Sequence, residues 1–301
     1  MHHLTIGIFG NNEFIKKLGK QGTINDLMIY NHASSEGVYT FMAPNSSENK
    51  IQPLLQILGI IDLPVIVSDS ISKELAEQII AIGAVGFEKG FIISTNEQLK
   101  SIISGTVAEK YEWLSDEKEL RAKLKDIKTK PITSEPWAPI DNYFNVKSVG
   151  TVVLSISKGA TIKKHDKLFV QPIGKEVMIK GIQSQDKDID TAEGGMRAGF
   201  NLKGIEADEL KRGYVVCKDA TISKNVTISF TKSKYSKEVT DVGSQVFLSI
   251  GLQVIPARIE QNGAELKLTL EHQVAYFPSQ KCVIASTKQI MPRIIGSGTM
   301  K

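Results

Sequence analysis

The feature that most constrains this fold is a change of pattern at a proline-rich stretch near residue 130. Residues 128–139 read KTKPITSEPWAP, and their three prolines interrupt every apolar periodicity. Such a stretch is typical of a semi-rigid linker. Before it, short apolar runs alternate with helix-like stretches, and after it short strands follow one another closely. The sequence therefore predicts an α/β domain followed by all-β domains.

The first part, residues 1–127, is predicted to form a parallel sheet covered by helices on both faces. Alternation of buried strands with helices is the pattern of such a sheet. Apolar residues at helical spacing predict helices over 51–58, 73–85 and 116–127. Continuous apolar runs predict buried strands over 4–9, 38–42, 64–67 and 90–93.

The second part is predicted to form two β-barrels, over residues 140–219 and 220–301. Short strands with Gly and charged turns between them favour barrels or sandwiches. In the first barrel they are expected at 143–146, 151–155, 167–171, 176–183, 196–203 and 214–217. In the second they are expected at 226–231, 245–250, 253–259, 265–270 and 282–286.

Composition limits the classes of protein and of site. Neither of the two cysteines, Cys217 and Cys282, has another Cys or a His at metal-ligand spacing. This argues against a structural metal site or a disulfide framework. A buried, unreactive thiol is the expected state of each. The chain has no apolar run long enough for a membrane span and no signal-peptide pattern, so a cytoplasmic location is expected.

Charge is distributed unevenly between the two parts. Residues 1–139 hold 14 Lys and Arg against 17 Asp and Glu, and residues 140–301 hold 23 against 16. A net charge of +7 on the second part permits a polyanionic partner, although ordinary solvated lysines explain it equally well.

Residues 140–217 carry a family resemblance. The segments IDNYFNVKSVGTVVLSISKGATIKKHDKLFVQP, GKEVMIKGIQSQDKDI and GGMRAGFNLKGIEADELKRGYVV resemble, in order, domain 2 of the elongation factor Tu superfamily. The selenocysteine-specific, SelB-like factors are the most similar group. Residues 225–301 are similar, more loosely, to domain 3 of these factors in FLSIGLQVIPARI and PRIIGSG. Two short segments, 18–31 and 103–107, resemble the archaeal SelB-like subgroup associated with pyrrolysine-carrying tRNA.

The resemblance implies that residues 1–127 are a GTPase-like domain, but the phosphate loop of that domain is degenerate. The motif G-x4-G-K-[S/T] cradles phosphates with backbone N–H groups, its Lys and its hydroxyl-bound Mg²⁺. Here Gly10 is followed by Glu13 within the loop. Ile15 stands where the second Gly belongs. Lys16 keeps the lysine position, and Lys17 stands where the hydroxyl residue belongs. Lys16 is therefore expected to be a solvated helical lysine. In the alternative, a vestigial nucleotide site, Gly10 and Lys16 are the candidates that this loop retains.

The other nucleotide-binding elements are degenerate as well. The Asp-x-x-Gly position reads Met42-Ala43-Pro44-Asn45, followed by Ser46 where these factors carry a water-positioning His. The guanine-binding Asn-Lys-x-Asp position reads Ser94-Thr95-Asn96-Glu97, of which Asn96 and Glu97 are the remaining candidates. Phosphoryl transfer depends almost entirely on positioning and charge stabilisation. The sequence therefore predicts a pseudo-GTPase with no cofactor; GTP and Mg²⁺ enter only if the degenerate site is functional.

The resemblance also implies an aminoacyl pocket at the start of domain 2. Selenocysteine factors are thought to use an Asp-His pair and an Arg there, which correspond to Asp141, Asn142 and Arg197. Asp and Arg side chains suit a zwitterionic or anionic aminoacyl group. An alternative leaves Asp141 as a turn cap and pairs Arg197 with Glu193 or Asp190. Both interpretations remain open at this point.

Five lysines are candidates for contacts to an RNA backbone: Lys163, Lys164, Lys232, Lys234 and Lys237. The last three alternate with Ser and Tyr and are expected to lie along one strand face and its turn, although lysines also protect and solubilise sheet edges. Three functions remain: a pseudo-GTPase that binds aminoacyl-tRNA or other structured RNA, an active GTP-dependent elongation factor with an atypical site, and a protein-interaction module without RNA binding. The ribosome is a further possible partner; DNA and membranes are not expected.

Overall fold

The computed structural model describes residues 2–45 and 50–301, and its first part is built on one seven-stranded sheet. The sheet order is β2-β3-β4-β1-β5-β6-β7. Its strands are β1 (His2–Gly10), β2 (Lys20–Ile24), β3 (Leu27–Ala33), β4 (Gly37–Pro44), β5 (Leu63–Val67), β6 (Phe91–Ile93) and β7 (Glu112–Leu114). The α-helices are α1 (Gln52–Leu58), α2 (Lys73–Val85), α3 (Leu99–Ile103) and α4 (Glu117–Leu124), and short 3-10 helices span Asn12–Lys17 and Val107–Lys110. We call this part the α/β unit.

The prediction of a wholly parallel sheet is wrong at one edge. Strands β4, β1, β5, β6 and β7 run parallel, but β2 and β3 form an antiparallel hairpin beside β4. The turn of this hairpin is Asn25-Asp26, where the Asn25 side chain accepts the Leu27 N–H at 2.8 Å. Asn and Asp stabilise turns through such bonds to the following backbone. The sheet separates two cores, one under α1 and α2 and the other under α4.

The next part is a closed barrel, which we call the middle barrel. Strands β11-β16-β8-β9-β15-β12 pair in that order, and pairing of β11 with β12 closes the ring. Its strands are β8 (Trp137–Val146), β9 (Gly150–Ile156), β10 (Ile162–Lys163), β11 (Lys167–Gln171), β12 (Lys175–Ser184), β13 (Lys187–Ile189), β14 (Thr191–Ala192), β15 (Arg197–Lys203) and β16 (Val215–Cys217). A 3-10 helix spans Ala207–Glu209, and β10 pairs with β14 beside the ring.

The predicted linker over residues 128–139 is too long at its C-terminal end. Strand β8 already begins at Trp137, which pairs with Cys217 of β16. The Trp137 side chain is 1% exposed and packs edge-on against Phe277, with ring centroids 5.1 Å apart. Burial of the Trp137 indole outweighs the turn preference of the flanking prolines. The strand therefore starts before residue 140, where the sequence predicts the barrel to begin.

The last part is a second closed barrel, the C-terminal barrel. It consists of β17 (Thr221–Lys232), β18 (Gln245–Ile250), β19 (Gln253–Gln261), β20 (Glu265–Tyr276), β21 (Lys281–Ser286) and β22 (Ile294–Met300). The ring order is β17-β20-β19-β18-β21-β22. The predicted fold class, an α/β domain followed by two barrels, is thereby confirmed.

Contacts between the parts are extensive. Leu252, Val283, Ala285 and Ile294 of the C-terminal barrel pack in the same apolar core as α1 and α2. The middle barrel is joined to the α/β unit by a buried ion pair between Lys158 and Asp62 at 2.7 Å. The α/β unit is therefore packed against both barrels.

The structure bears on the thiols, on metal ligands and on membrane-spanning helices. Both cysteines are buried, and burial raises the pKa of Cys217 and of Cys282 to about 12. No group of three or more His, Cys, Asp or Glu side chains in residues 2–45 and 50–301 is arranged to hold a metal ion. Among the helices of these same ranges, none is long and apolar enough to cross a membrane.

Candidate functional site

The loop after β1 occupies the phosphate-loop position, and its backbone donors are already bonded within the protein. The Gly10 N–H donates to Oε1 of Gln78 on α2 at 2.8 Å, and the Asn11 N–H donates to the Val67 carbonyl of β5 at 2.6 Å. Gly10 has φ +89°, and a Cβ there would lie 2.4 Å from the Val67 oxygen. The glycine therefore permits close packing of this loop against β5.

The rest of this loop packs into the protein core. Phe14 and Ile15, in the 3-10 helix Asn12–Lys17, are buried in the core under α4, and Ile15 is fully buried. Lys16 points to the surface and forms an exposed ion pair with Glu13. The hydrogen bond to Glu13 raises the pKa of Lys16. Lys16 thus lies on the solvated side of the helix, as predicted from its surroundings.

The end of β4 occupies the Asp-x-x-Gly position. Met42, at the Asp position of this motif, is fully buried in the core under α1 and α2, so this residue presents no carboxylate. The Asn45 N–H donates to the Asp26 carbonyl at 2.9 Å, and its side chain donates to the Asn25 carbonyl at 2.5 Å. These bonds tie the end of β4 to the turn of the β2–β3 hairpin. The predicted Ser46 position lies outside the described residues.

The loop after β6 occupies the guanine-binding position and is bonded to the loop after β5. Asp69 accepts both the backbone N–H and the hydroxyl of Thr95, each at 3.0 Å. These bonds, the backbone one first, lower the pKa of Asp69. The Asn96 side chain donates to the Asp69 carbonyl at 3.2 Å, and Glu97 pairs with Lys100 at 2.7 Å on the surface. The two candidate guanine ligands are therefore engaged with neighbouring residues.

A cleft of about 940 Å³ lies between the β2–β3 hairpin and the middle barrel. The hairpin side supplies polar groups, and the barrel side is largely apolar along β8 and β9. The lining residues include Lys20, Gln21, Asn31, His32, Phe144, Val146, Val149, Val152, Leu154, Gln183, Asp186, Asp188, Arg197 and Asn201. Burial lowers the pKa of His32, so its imidazole is uncharged at neutral pH.

Arg197 lines this cleft and pairs with the buried Asp141. Arg197 Nε donates to Asp141 Oδ2 at 2.9 Å, and Nη2 donates to Oδ1 at 2.8 Å. The Asp141 side chain is fully buried and that of Arg197 is 10% exposed. Burial acts to lower the pKa of Arg197, but the charge and hydrogen bonds of Asp141 outweigh it and raise the pKa.

The alternative partners suggested for Arg197 are wrong. Asp190 and Glu193 were expected because they are close in sequence, whereas β15 pairs with β9 and carries Arg197 toward Asp141 on β8. Asn142, the third candidate, accepts the N–H of its neighbour Tyr143 at 2.9 Å. The structure therefore brings two of the three pocket candidates into one bidentate pair.

The five candidate RNA-binding lysines are all exposed, but three of them do not form the predicted row. Strand β17 ends at Lys232, so Lys234 and Lys237 lie in the turn and loop that follow. Lys232 donates to the Glu238 carbonyl at 2.8 Å. Lys234 donates to the Gly105 carbonyl of the α/β unit at 3.1 Å and lies 5.0 Å from the Tyr235 ring centroid. Lys163 ends β10, and Lys164 follows it.

Several residues of the cleft and its surroundings were not foreseen from the sequence. The hairpin is fastened to the middle barrel by Thr23, which accepts from Arg197 at 3.3 Å, and by an ion pair between Asp26 and Arg212. The Asn25-Asp26 dipeptide between two apolar-polar runs was an available hairpin signal. The partners of Thr23 and Asp26 lie more than 170 residues away, and no local pattern indicates them.

Comparison with known proteins places these observations in a family. The chain is 32% identical to the uncharacterized protein MJ0325 of Methanocaldococcus jannaschii over the full length of both. It is 28% identical to elongation factor 1-alpha of Cenarchaeum symbiosum over 69% of this chain and 50% of that protein. It is 35% identical to the selenocysteine-specific elongation factor of M. jannaschii, over 47% of this chain and 32% of that protein. No protein-family model matches the chain.

Solved structures with the same fold agree with these relatives. SelB from Methanococcus maripaludis in complex with the GTP analogue GPPNHP superimposes with a TM-score of 0.84 at 19% identity, covering all of this chain and 79% of that one. A bacterial selenocysteine-specific elongation factor gives the same TM-score at 16% identity, with 58% of its chain covered. The chain spans about half the length of the elongation factor 1-alpha relative and about a third of the selenocysteine-specific one.

Proposed function

Because the chain belongs to the elongation factor Tu and SelB-like superfamily, we propose that it binds aminoacyl-tRNA or another structured RNA without using a guanine nucleotide. One observation carries the nucleotide-independent part. The loop donors and candidate ligands at the nucleotide-binding positions are bonded to the protein itself, at Gly10, Asn11, Asn45 and Asn96. Opening these positions to GTP would break those bonds and expose the core around Ile15.

The contacts between the parts support the same proposal. A nucleotide switch acts by moving one domain relative to others, which requires two arrangements close in free energy. Here a continuous apolar core joins the α/β unit to the C-terminal barrel. Two ion pairs of largely buried side chains also join the α/β unit to the barrels. Lys158–Asp62 connects it to the middle barrel, and Arg293–Glu77 connects it to the C-terminal barrel. Breaking either pair would separate two oppositely charged groups that are largely removed from water, so a single arrangement is favoured.

RNA binding is proposed from charge and from the use of these barrels in the family. Residues 140–301 carry a net charge of +7, and Lys163, Lys164, Lys232, Lys234 and Lys237 are exposed on them. A lysine that donates to a carbonyl keeps its full charge and remains able to attract phosphate. The cleft beside Asp141 and Arg197 is proposed to receive the aminoacyl end.

Membership in the pyrrolysine-associated subgroup is also proposed. The two segments that carry this resemblance lie in the parts of the fold to which we assign the aminoacyl cleft and RNA contacts. Residues 18–31 include strand β2 and most of β3, which form one wall of the cleft. Residues 103–107 include Gly105, whose carbonyl accepts from Lys234 of the C-terminal barrel. Subgroup-specific sequence in these places would affect the aminoacyl cleft and the RNA-facing loop.

A salt series of filter-binding measurements with tRNA tests the RNA-binding part. Each lysine engaged with phosphate contributes roughly 0.7–0.9 to the slope of log K against log salt. The Lys232→Gln/Lys234→Gln/Lys237→Gln variant is expected to bind more weakly and to lower that slope by about 2–3. Lys125→Gln, on an exposed α/β-unit lysine paired with Glu36, is the matched control and should leave the slope unchanged.

Two outcomes would direct attention to the other candidate functions. Absence of tRNA binding even at low salt would favour a protein-interaction module that reuses the barrels. Calorimetric titration with GTP or GDP and Mg²⁺ is expected to show no stoichiometric complex. A dissociation constant tighter than about 10 μM, or about −7 kcal/mol, would favour an active elongation factor with an atypical site.

A further inference from the structure

The cleft beside Arg197 differs from an anion-binding pocket in one decisive respect, which is that its arginine is already neutralised. Both Asp141 oxygens accept from the Arg197 guanidinium, and the Thr23 hydroxyl accepts a further bond from it. An incoming carboxylate or other anion would have to compete with a bidentate partner fixed at 2.8 and 2.9 Å. Such fork-to-fork pairs are among the strongest hydrogen-bonded contacts in proteins.

The remaining charges of the cleft do not favour an anion either. Lys20 on the hairpin is outnumbered by Asp186 and Asp188 on the barrel side, and all three are exposed and therefore screened by solvent. His32 is uncharged at neutral pH. Without the paired arginine, the lining thus carries a slight excess of negative charge.

Apolar and amide groups make up the rest of the lining. Phe144 and Val149 are each 41% exposed toward solvent, which is a large fraction for apolar side chains, and both border the cleft. Gln21, Asn31 and Asn201 supply amides. The Asn201 Oδ1 atom is buried and has no hydrogen-bond partner among residues 2–45 and 50–301. A buried acceptor without a donor is costly, so the Asn201 side chain would gain by turning toward a bound group that supplies one.

We infer that this cleft selects an uncharged, partly apolar group that carries a hydrogen-bond donor, and that it rejects an anionic one. The inference rests on the proposed function, under which that group is the side chain of the amino acid on a charged tRNA. The Asp141–Arg197 pair then sets specificity by keeping the guanidinium occupied, and Phe144 and Val149 cover the apolar portion of the bound group.

The test uses one tRNA charged in turn with glutamine and with glutamate, which match in size and differ in charge. Wild-type protein is expected to bind the glutamine form at least tenfold more tightly than the glutamate form. In Asp141→Asn the guanidinium loses its counter-charge, and the preference should shift toward glutamate by tenfold or more. Glu176→Gln removes a carboxylate that does not line the cleft and is expected to keep the wild-type ratio.

The outcomes separate this inference from the proposed function. Equal or tighter binding of the glutamate form by the wild-type protein overturns the inference alone. Binding of both charged forms no better than deacylated tRNA overturns the aminoacyl assignment of the cleft and the inference with it. The wild-type comparison stands even if Asp141→Asn fails to fold, because it requires no substitution.

Discussion

Glu77 and Arg293, 216 residues apart in the chain, form a buried ion pair that joins α2 to the segment before β22. Arg293 Nη2 donates to Glu77 Oε2 at 2.5 Å, and the Arg293 backbone N–H donates to Oε1 at 2.6 Å. The two side chains are only 4% and 3% exposed. The pair connects the α/β unit to the C-terminal barrel within the shared core.

Removing one partner of this pair should destabilise the protein strongly. We expect Glu77→Gln to reduce the free energy of unfolding in urea by about 3–5 kcal/mol, because it removes the negative charge to which the buried Arg293 guanidinium is bonded. Lys100→Met, which breaks the exposed Glu97–Lys100 pair, is the control and should cost less than about 0.5 kcal/mol. The double variant Glu77→Met/Arg293→Met should recover most of the loss. Equal effects of Glu77→Gln and the control would contradict an ion pair buried between the two parts.

The second prediction concerns the loop after β1. Ile15→Ala should reduce the free energy of unfolding by about 2–5 kcal/mol, because Ile15 is a fully buried core residue. Lys16→Ala, at the adjacent exposed position, should change it by less than about 0.5 kcal/mol. Chemical denaturation of both variants measures this contrast. A neutral Ile15→Ala would show that this segment is not part of the core.

The third prediction concerns pH. His3 is 6% exposed, and burial lowers the pKa of its imidazole below the ordinary value. The unfolded chain takes up this proton at a higher pH than the folded chain does. The neutral His3 imidazole therefore makes its full contribution to the free energy of unfolding above the ordinary pKa of about 6.5. That contribution is lost as pH falls below this value.

We accordingly expect wild-type protein to lose more stability between about pH 7.5 and about pH 5.5 than the His3→Gln variant, measured by urea unfolding at each pH. His272→Gln, at an exposed histidine of β20, is the matched control and should lose as much as the wild type. A loss in His3→Gln equal to that of the wild type would exclude His3 as the source of the pH dependence.

Much of the fold could be predicted because most of its strands carry local apolar patterns. Strands β11 and β18 lie at their predicted bounds, as does helix α2. Strand β22 was missed because Gly296 and Gly298 interrupt its pattern. A Cβ at either glycine would lie within 2.3 Å of a β17 carbonyl oxygen, so close strand approach requires both. A pattern of side chains cannot indicate a strand whose packing depends on their absence.

The site was less predictable than the fold, for a different physical reason. The sequence identified Asp141 and Arg197 as candidates, but it did not indicate that they bond to each other, because their pairing depends on how β8, β9 and β15 align. The pairs Lys158–Asp62 and Arg293–Glu77 had no local signal at all. Charges that become buried by domain packing look like ordinary surface charges in a sequence.

The central claim is that RNA binding does not depend on a guanine nucleotide, and filter binding of aminoacyl-tRNA under three conditions tests it most directly. The full chain is titrated at one low salt concentration and one Mg²⁺ concentration with GTP, with GDP, and with no nucleotide. We predict measurable binding with the same dissociation constant, within about twofold, in all three, because a ligand that does not bind cannot shift an equilibrium. Binding that is at least tenfold tighter with GTP than with GDP or without nucleotide would contradict the account.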